Sequence, residues 1–396
     1  MAKKSINYLP EGLISEILVR LPVKSLLQCK SVCKPWLSLI STPHFVKSQL
    51  HRAITASMNT PTLLCIHRPP LTEEELARKL AFEAETERRF GTLFSNSTIS
   101  PQQQRRRELV DEALLDAAAQ DLSSCPVQFN RLVMPRLFST HYSIKSVCDG
   151  ILCLANLFGN FVYLWNPSIG KFKKLPAPEP HTCDTVPVKV GFGYDPISDD
   201  YKVFRIVSEK MFDVEPLVQV YSSNADSWTN EFKAPIMKGV KHFGSANVVV
   251  DGVLYFKYRR EHLVSFDLHN EIFGLVPIPS STQMESDVLD FQGSVAMVFQ
   301  SGIEINLWTL DNVSGEVSWT KKFSIEAHPE TEIRLDDYLG AAQFFGHKVF
   351  ESSFMFYVLY DCEKKETKIY KDEANVGAFL KYTETLVSLD GFEQVQ

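Results

Sequence analysis

Two Leu-Pro pairs, Leu9-Pro10 and Leu21-Pro22, constrain the first fifty residues more than any other feature. Proline suits the first position of a helix, where its missing N–H would have no partner and its φ is already set. After Pro10, the residues Leu13, Ile14, Ile17, Leu18 and Leu21 recur at three- and four-residue steps, the apolar stripe of an amphipathic helix. After Pro22 the pattern continues through Val23, Leu26, Leu27 and Cys33. Pro35 opens a third run bearing Trp36, Leu39 and Ile40, and Thr42-Pro43 reads as the N-cap and first position of a fourth. Short helices in so small a segment cannot enclose that much apolar surface among themselves. The cover is either the rest of the chain or a partner.

The order Leu-Pro-x-x-Leu, Ile17-Leu18, Leu21-Pro22-Val23-Lys24-Ser25-Leu26, Val32-Cys33-Lys34-x-Trp36 and Leu39-Ile40 resembles the F-box of plant F-box proteins. The resemblance implies a helical module over residues 1–52 that docks on a Skp-type adaptor and, through it, on a cullin-RING ubiquitin ligase. Carried over residue by residue, it assigns adaptor binding to Leu9, Pro10, Leu13, Ile17, Leu18, Leu21, Pro22, Leu26, Leu27, Val32, Cys33, Trp36, Leu39 and Ile40.

Charge is unevenly divided. Residues 1–52 carry a net +6 within a chain of net charge −7, which leaves −13 on the remainder. A basic module favours an acidic protein partner, and an acidic remainder argues against nucleic-acid binding, which needs a cationic surface. The eight cysteines include no C-x-x-C pair, and Cys29 and Cys33 have no histidine at ligand spacing, so the expectation is buried thiols and no metal. The start MAKKSINYLPEG lacks an apolar signal core, and no run reaches membrane-spanning length. Cytoplasm or nucleus is the expected compartment.

In chain order, residues 53–60 read as a linker and residues 61–70, PTLLCIHRPP, as a proline-bounded strand. Residues 71–122 then break the composition and read as a helical insert. Thr72-Glu73-Glu74-Glu75 has the arrangement of a capping box, as does Ser100-Pro101-Gln102-Gln103, which leads into a helix bearing Val110, Leu114, Ala117 and Ala118. Arg105-Arg106-Arg107 has the look of a nuclear-localisation or phosphate-binding patch, but three arginines on a helix read better as a solvated face.

From Val127 onward the chain alternates short apolar runs with Gly, Pro, Asn and Asp clusters. The runs Phe161–Trp165, Val218–Tyr221, Leu263–Leu268, Ile305–Leu310 and Tyr357–Tyr360 repeat, each followed by a polar turn and a second run, most of them carrying Phe or Trp. Measured from Tyr163, the steps to Tyr221, Phe266, Trp308 and Leu359 are 58, 45, 42 and 51 residues. In an all-β chain this period marks propeller blades of four strands; a β-sandwich, the alternative, needs no period. A sixth blade is expected from Leu63–Ile66 and Gln128–Met134 together with Ala378–Tyr382 and Thr385–Leu389, closing the ring with strands from both ends.

The segments Asp149-Gly150-Ile151-Leu152-Cys153-Leu154, Leu164-Trp165-Asn166-Pro167-Ser168 and Gly191-Phe192-Gly193-Tyr194-Asp195-Pro196 resemble the F-box-associated domain of plant F-box/kelch proteins. So do Val220-Tyr221-Ser222, Val264-Ser265-Phe266-Asp267-Leu268 and Ser318-Trp319-Thr320-Lys321, while Phe256 stands where the pattern leads us to expect Trp. The expected fold is therefore α + β multidomain: a helical F-box, then a kelch-like propeller of about six blades over residues 61–396. Asp199-Asp200 reads as a turn, and neither H-E-x-x-H, G-x-S-x-G nor a phosphate-binding glycine loop is present. No cofactor and no catalysis are expected. The resemblances imply a substrate receptor whose propeller binds an unidentified target for ubiquitination. The rival readings are a non-proteolytic F-box scaffold and a propeller with enzymatic or glycan-binding activity.

Overall fold

The computed structural model describes residues 9–59, 62–78, 119–121, 127–138, 142–179, 188–207, 215–237, 247–258, 262–279, 285–301, 304–313, 316–326, 334–340, 343–349, 354–361, 366–373 and 376–395, with a few single positions between them. Four helices come first: α1 (Glu11–Leu18), α2 (Val23–Cys29), α3 (Lys34–Ile40) and α4 (Pro43–Asn59). Pro10 and Pro22 stand one position earlier than the sequence pattern predicts, as N-caps with ψ of 143° and 151°. Their extended backbone directs the carbonyl into the first turn, where Leu13 and Ile14 donate to Pro10 O and Leu26 donates to Pro22 O. Thr42 caps α4 as expected, its Oγ1 accepting from the Phe45 N–H at 3.2 Å. Residues 53–59 are no linker but the last turns of α4. No glycine or proline interrupts the chain between Pro43 and Pro61, and extending a helix costs little once it is nucleated.

The described strands form six sheets. The first blade is Ser143–Cys148, Ile151–Ala155, Val162–Asn166 and Lys171–Lys174; the second is Val188–Asp195, Asp200–Val207, Leu217–Ser222 and Ser227–Trp228, with Phe232–Lys233 also paired to its third strand. The third is Val248–Val250, Val253–Tyr258, His262–Asp267 and Ile272–Pro277, and the fourth Glu285–Phe291, Ser294–Ser301, Glu304–Val313 and Glu316–Glu326. The fifth is Arg334–Gly340, Gln343–Val349, Phe354–Asp361 and Glu366–Glu373. Each run that marked the sequence repeat lies in the third strand of its blade, and the run after it lies in the fourth.

The sixth sheet has three strands and closes the ring. Val376–Tyr382 pairs antiparallel with Thr62–His67, which pairs parallel with Gln128–Val133. Its innermost strand, Val376–Tyr382, touches Arg334–Gly340 on one side and Ser143–Cys148 on the other. Distant strands also extend two outer edges. Glu393–Gln394 joins the first blade, and Ala119–Asp121 runs parallel to Glu366–Glu373 on the fifth. The end of the expected helical insert is thus part of the propeller. Its beginning matches the expectation: the Thr72 N–H donates to the Glu75 carboxylate at 2.8 Å and the Glu75 N–H to Thr72 Oγ1 at 3.3 Å. Ser100–Gln103 and Arg105–Arg107 lie outside the described residues.

Aromatic side chains fill the spaces between blades. Phe256 is fully buried and stacks on Phe204 with centroids 6.0 Å apart, so phenylalanine fills the place where the resemblance led to Trp. Gly191 makes that packing possible, since a Cβ there would lie 1.9 Å from Phe204 Cε1.

One segment departs from the expected topology. Thr385–Leu389 forms no strand. It leaves the ring after Tyr382 as an extended strap between α4 and the first blade. Asn166 Nδ2 donates to the carbonyls of Thr385 and Val387 at 3.1 and 2.9 Å, and Thr385 Oγ1 donates to Asp149 O at 2.7 Å. On the other side, Gln49 Oε1 accepts from the Leu386 N–H at 3.2 Å and its Nε2 faces Glu384 O at 3.4 Å. The backbone groups of Thr385, Leu386 and Val387 are met by side chains, so this part stays extended without joining a sheet.

Candidate functional site

On the helical module, the spacing of α1 separates two stripes. Leu18 is buried with Val23, Leu26, Ile40 and Phe45, and Ile14, Leu21, Leu27, Trp36 and Leu39 pack half-buried against them. Leu13 and Ile17 line the other stripe, with Leu9 just ahead of the helix, and the three remain 51%, 53% and 44% exposed. Val32, at 63%, stands at the turn after α2, and Leu37, at 47%, stands on α3. Exposed large apolar residues on one small module are the kind of surface that interaction sites use.

The fourteen residues singled out from sequence therefore divide. Leu9, Pro10, Leu13, Ile17, Pro22 and Val32 are exposed; Leu21, Leu27, Cys33, Trp36 and Leu39 are half-buried; Leu18, Leu26 and Ile40 are buried in the module's own core. Sequence reasoning passes over Leu37, because Leu39 and Ile40 continue the inward stripe and draw the assignment to themselves.

The helical module sits on one face of the ring, the face of the tight turns between first and second strands. Asp149-Gly150, Asp251-Gly252 and Gln292-Gly293 all have positive φ at both positions, the geometry of two-residue hairpin turns. Lys47 of α4 pairs with Asp199 in the corresponding turn of the second blade, Nζ to Oδ2 at 2.5 Å. Hydrogen bonds from Lys47 and Tyr194 hold the Asp199 carboxyl below its usual range. Both partners are exposed, so the pair orients more than it stabilises. Val46 and Leu50 of α4 pack on the core of the first two blades, and α4 also touches the innermost strand Arg334–Gly340.

Beside that contact, Asp195 is fully buried. Burial alone would raise its carboxyl, but hydrogen bonds from Ser198, the Ile197 N–H and His269 outweigh it and hold the group well below its usual range. Lys202 Nζ lies 3.4 Å away, and His269 Nδ1, from the third blade, lies 3.1 Å away. Every group here has a structural partner, and the cluster ties the second blade to the third.

The opposite face carries the connections between second and third strands and those from blade to blade. At its centre, Lys145 and Lys189 extend from neighbouring innermost strands. Burial lowers both amines, that of Lys189 to about 7 with a further contribution from the charge of Lys145 and an opposing one from Asp287. Lys189 Nζ lies 5.5 Å over the Phe256 ring, and Asn247 Nδ2 donates to Lys145 O and Val190 O at 3.2 Å each.

Among the described residues no group of three or more His, Cys, Asp or Glu side chains is placed to hold a metal ion, and Cys29, Cys33, Cys65, Cys148 and Cys153 form no disulfide. No described helix is long and apolar enough to cross a membrane.

Comparison with known proteins agrees with this division. Residues 6–48 match the F-box domain, and residues 82–376 match the F-box associated beta propeller domain. An F-box/kelch-repeat protein of Arabidopsis thaliana is 24% identical, the alignment covering 81% of this chain and 80% of that one. An F-box protein of the same plant is 25% identical over 81% of this chain and 73% of its own. A solved prolyl endopeptidase aligns with 70% of this chain and 42% of its own at 12% identity and a TM-score of 0.34, too slight a likeness to argue from.

Proposed function

This chain belongs to the F-box proteins that carry an F-box-associated β-propeller, and from that premise we propose that it is the target-recognition subunit of a Skp–cullin–F-box ubiquitin ligase. The observation that carries the reading is the pair of stripes on α1. The inward one builds the module, and the outward one, Leu13 and Ile17, together with Leu9, Val32 and Leu37, is left for a Skp-type adaptor. The adaptor links the chain to the cullin-RING ligase. The target is a protein held on the face opposite the F-box, where the longer connections and the amines of Lys145 and Lys189 lie. The chain contributes proximity: it raises the effective concentration of target lysines near the charged ubiquitin-conjugating enzyme and performs no bond chemistry itself. The process belongs to the cytoplasm or nucleus.

The test is a full-length variant with Leu9, Leu13 and Ile17 replaced by serine. It is expected to fold, to retain the target proteins that co-purify with wild type, and to lose adaptor and cullin. Those targets should then carry fewer ubiquitin conjugates and live longer in cells. Target half-lives that stay equal, with adaptor binding lost, would identify a non-proteolytic scaffold.

A further inference from the structure

We infer that the strap formed by residues 383–390 makes closure of the propeller ring a condition for adaptor binding, with Leu386 and Gln49 as the positioning residues that connect the two. The inference rests on the adaptor reading above and extends it to residues that lie outside the F-box sequence.

Leu386 is 4% exposed and sits in the F-box core with Leu18, Val23, Leu26, Ile40 and Phe45. Ile169, from a turn of the first blade, packs on the same cluster. The F-box helices therefore do not complete their own core: a side chain more than three hundred residues downstream occupies it. Its neighbour Val387 points the other way and is buried in the core of the first two blades, where Leu389 and Phe392 also pack. The alternation follows from extended backbone, in which successive side chains face opposite sides. Gln49, 5% exposed on α4, fixes the register by engaging the strap on either side of Thr385, at Glu384 O and the Leu386 N–H, through its side-chain amide. A second tie lies further along, where Thr383 Oγ1 and Ser57 Oγ are 3.1 Å apart.

The strap is held in turn by the ring. It follows directly from Val376–Tyr382, the innermost strand of the closing sheet, and Asn166, Asp149 and Lys173 of the first blade bind it at Thr385, Val387 and Asp390. Leu386 reaches the F-box core only once that strand has paired. An incompletely closed propeller thus leaves the core beneath the adaptor stripe unfilled. A receptor with an unformed target face would then not enter the ligase, and in a closed chain the F-box is fixed in orientation relative to the target face.

The test uses full-length Leu386→Ala, Val387→Ala and Leu386→Met chains, titrated with purified Skp-type adaptor and followed by amide hydrogen exchange. Val387→Ala removes a similar apolar side chain from the same segment but faces only the propeller. Leu386→Ala is expected to weaken adaptor binding by about tenfold or more, the scale of an emptied core position. It should also speed exchange in α1–α3 while the blade strands stay protected. Val387→Ala is expected to leave adaptor affinity within about twofold of wild type, and Leu386→Met to restore it, since methionine conserves volume. Equal affinity and equal α1–α3 protection in Leu386→Ala and wild type would overturn the inference, as would equal losses in the two alanine variants. The exchange arm needs no adaptor. Should wild type itself fail to bind adaptor, the ligase reading fails, and faster α1–α3 exchange confined to Leu386→Ala still establishes the coupling of strap and F-box.

Discussion

Lys189 shows how one side chain can carry a constraint that composition hides. It is 8% exposed, with its amine lowered from 10.5 to about 7 by burial first and by Lys145 second. The unfolded chain then binds more protons than the folded one between about pH 7 and 10.5, so this residue makes stability rise with pH across that window. Denaturant titrations of wild type and Lys189→Met at several pH values are expected to differ in slope there, with the rise absent from the variant. At Gly191 the constraint is steric. An alanine Cβ at this position would lie 1.9 Å from Phe204 Cε1 and 2.9 Å from Leu254 Cδ1. Gly191→Ala therefore forces two buried side chains to move, and a loss of about 1–3 kcal/mol in chemical denaturation is expected. Trp36 changes meaning with the structure in hand. It is half-buried against the F-box core, so Trp36→Ala should lower F-box stability as well as adaptor affinity. The outward residues Leu13 and Ile17 are the cleaner probes.

At the scale of elements, the sequence discloses most where a pattern is local. The capping box at Thr72, the N-cap at Thr42 and the third strands of five blades are legible because spacing alone determines them. Helix α4 runs further than its pattern predicts because its second half, with His51, Arg52, Thr55 and Ser57, has no continuous apolar stripe to mark it. The strap reads as a strand because Thr385–Leu389 is a short run rich in Thr, Leu and Val. Nothing in that composition tells which partner each face meets, and the partners are far away in the chain. The insert offers a prediction of its own. Ala119–Asp121 belongs to the edge of the fifth blade, so replacing residues 79–116 by a Gly/Ser linker should keep the melting temperature within a few degrees, because loop-closure cost grows only logarithmically. Extending the replacement through residue 122 removes that edge strand, and calorimetry should then show a lower melting temperature.

Across the whole molecule, two ideas from the sequence meet with different outcomes. The closed ring is legible as a count of repeats plus two unpaired ends, and the closing sheet joins Thr62–His67 to Val376–Tyr382 as that count requires. The expectation of a linker between modules is not met, because α4 is continuous and the strap places Leu386 in one core and Val387 in the other. Ending the chain after residue 375 removes the closing sheet's inner strand and the strap together. Apolar blade surface is then exposed, and the product is expected to aggregate and to lose cooperative unfolding. The central claim, that the outward stripe of α1 recruits the adaptor, is tested most directly by calorimetric titration of purified Skp-type adaptor into full-length wild type and a Leu13→Asp, Ile17→Asp variant. Wild type is expected to bind with one-to-one stoichiometry, and the variant, with its melting temperature unchanged, to lose about 2–4 kcal/mol of binding free energy, the scale of interface hot spots. Equal affinities for the two chains would contradict the account.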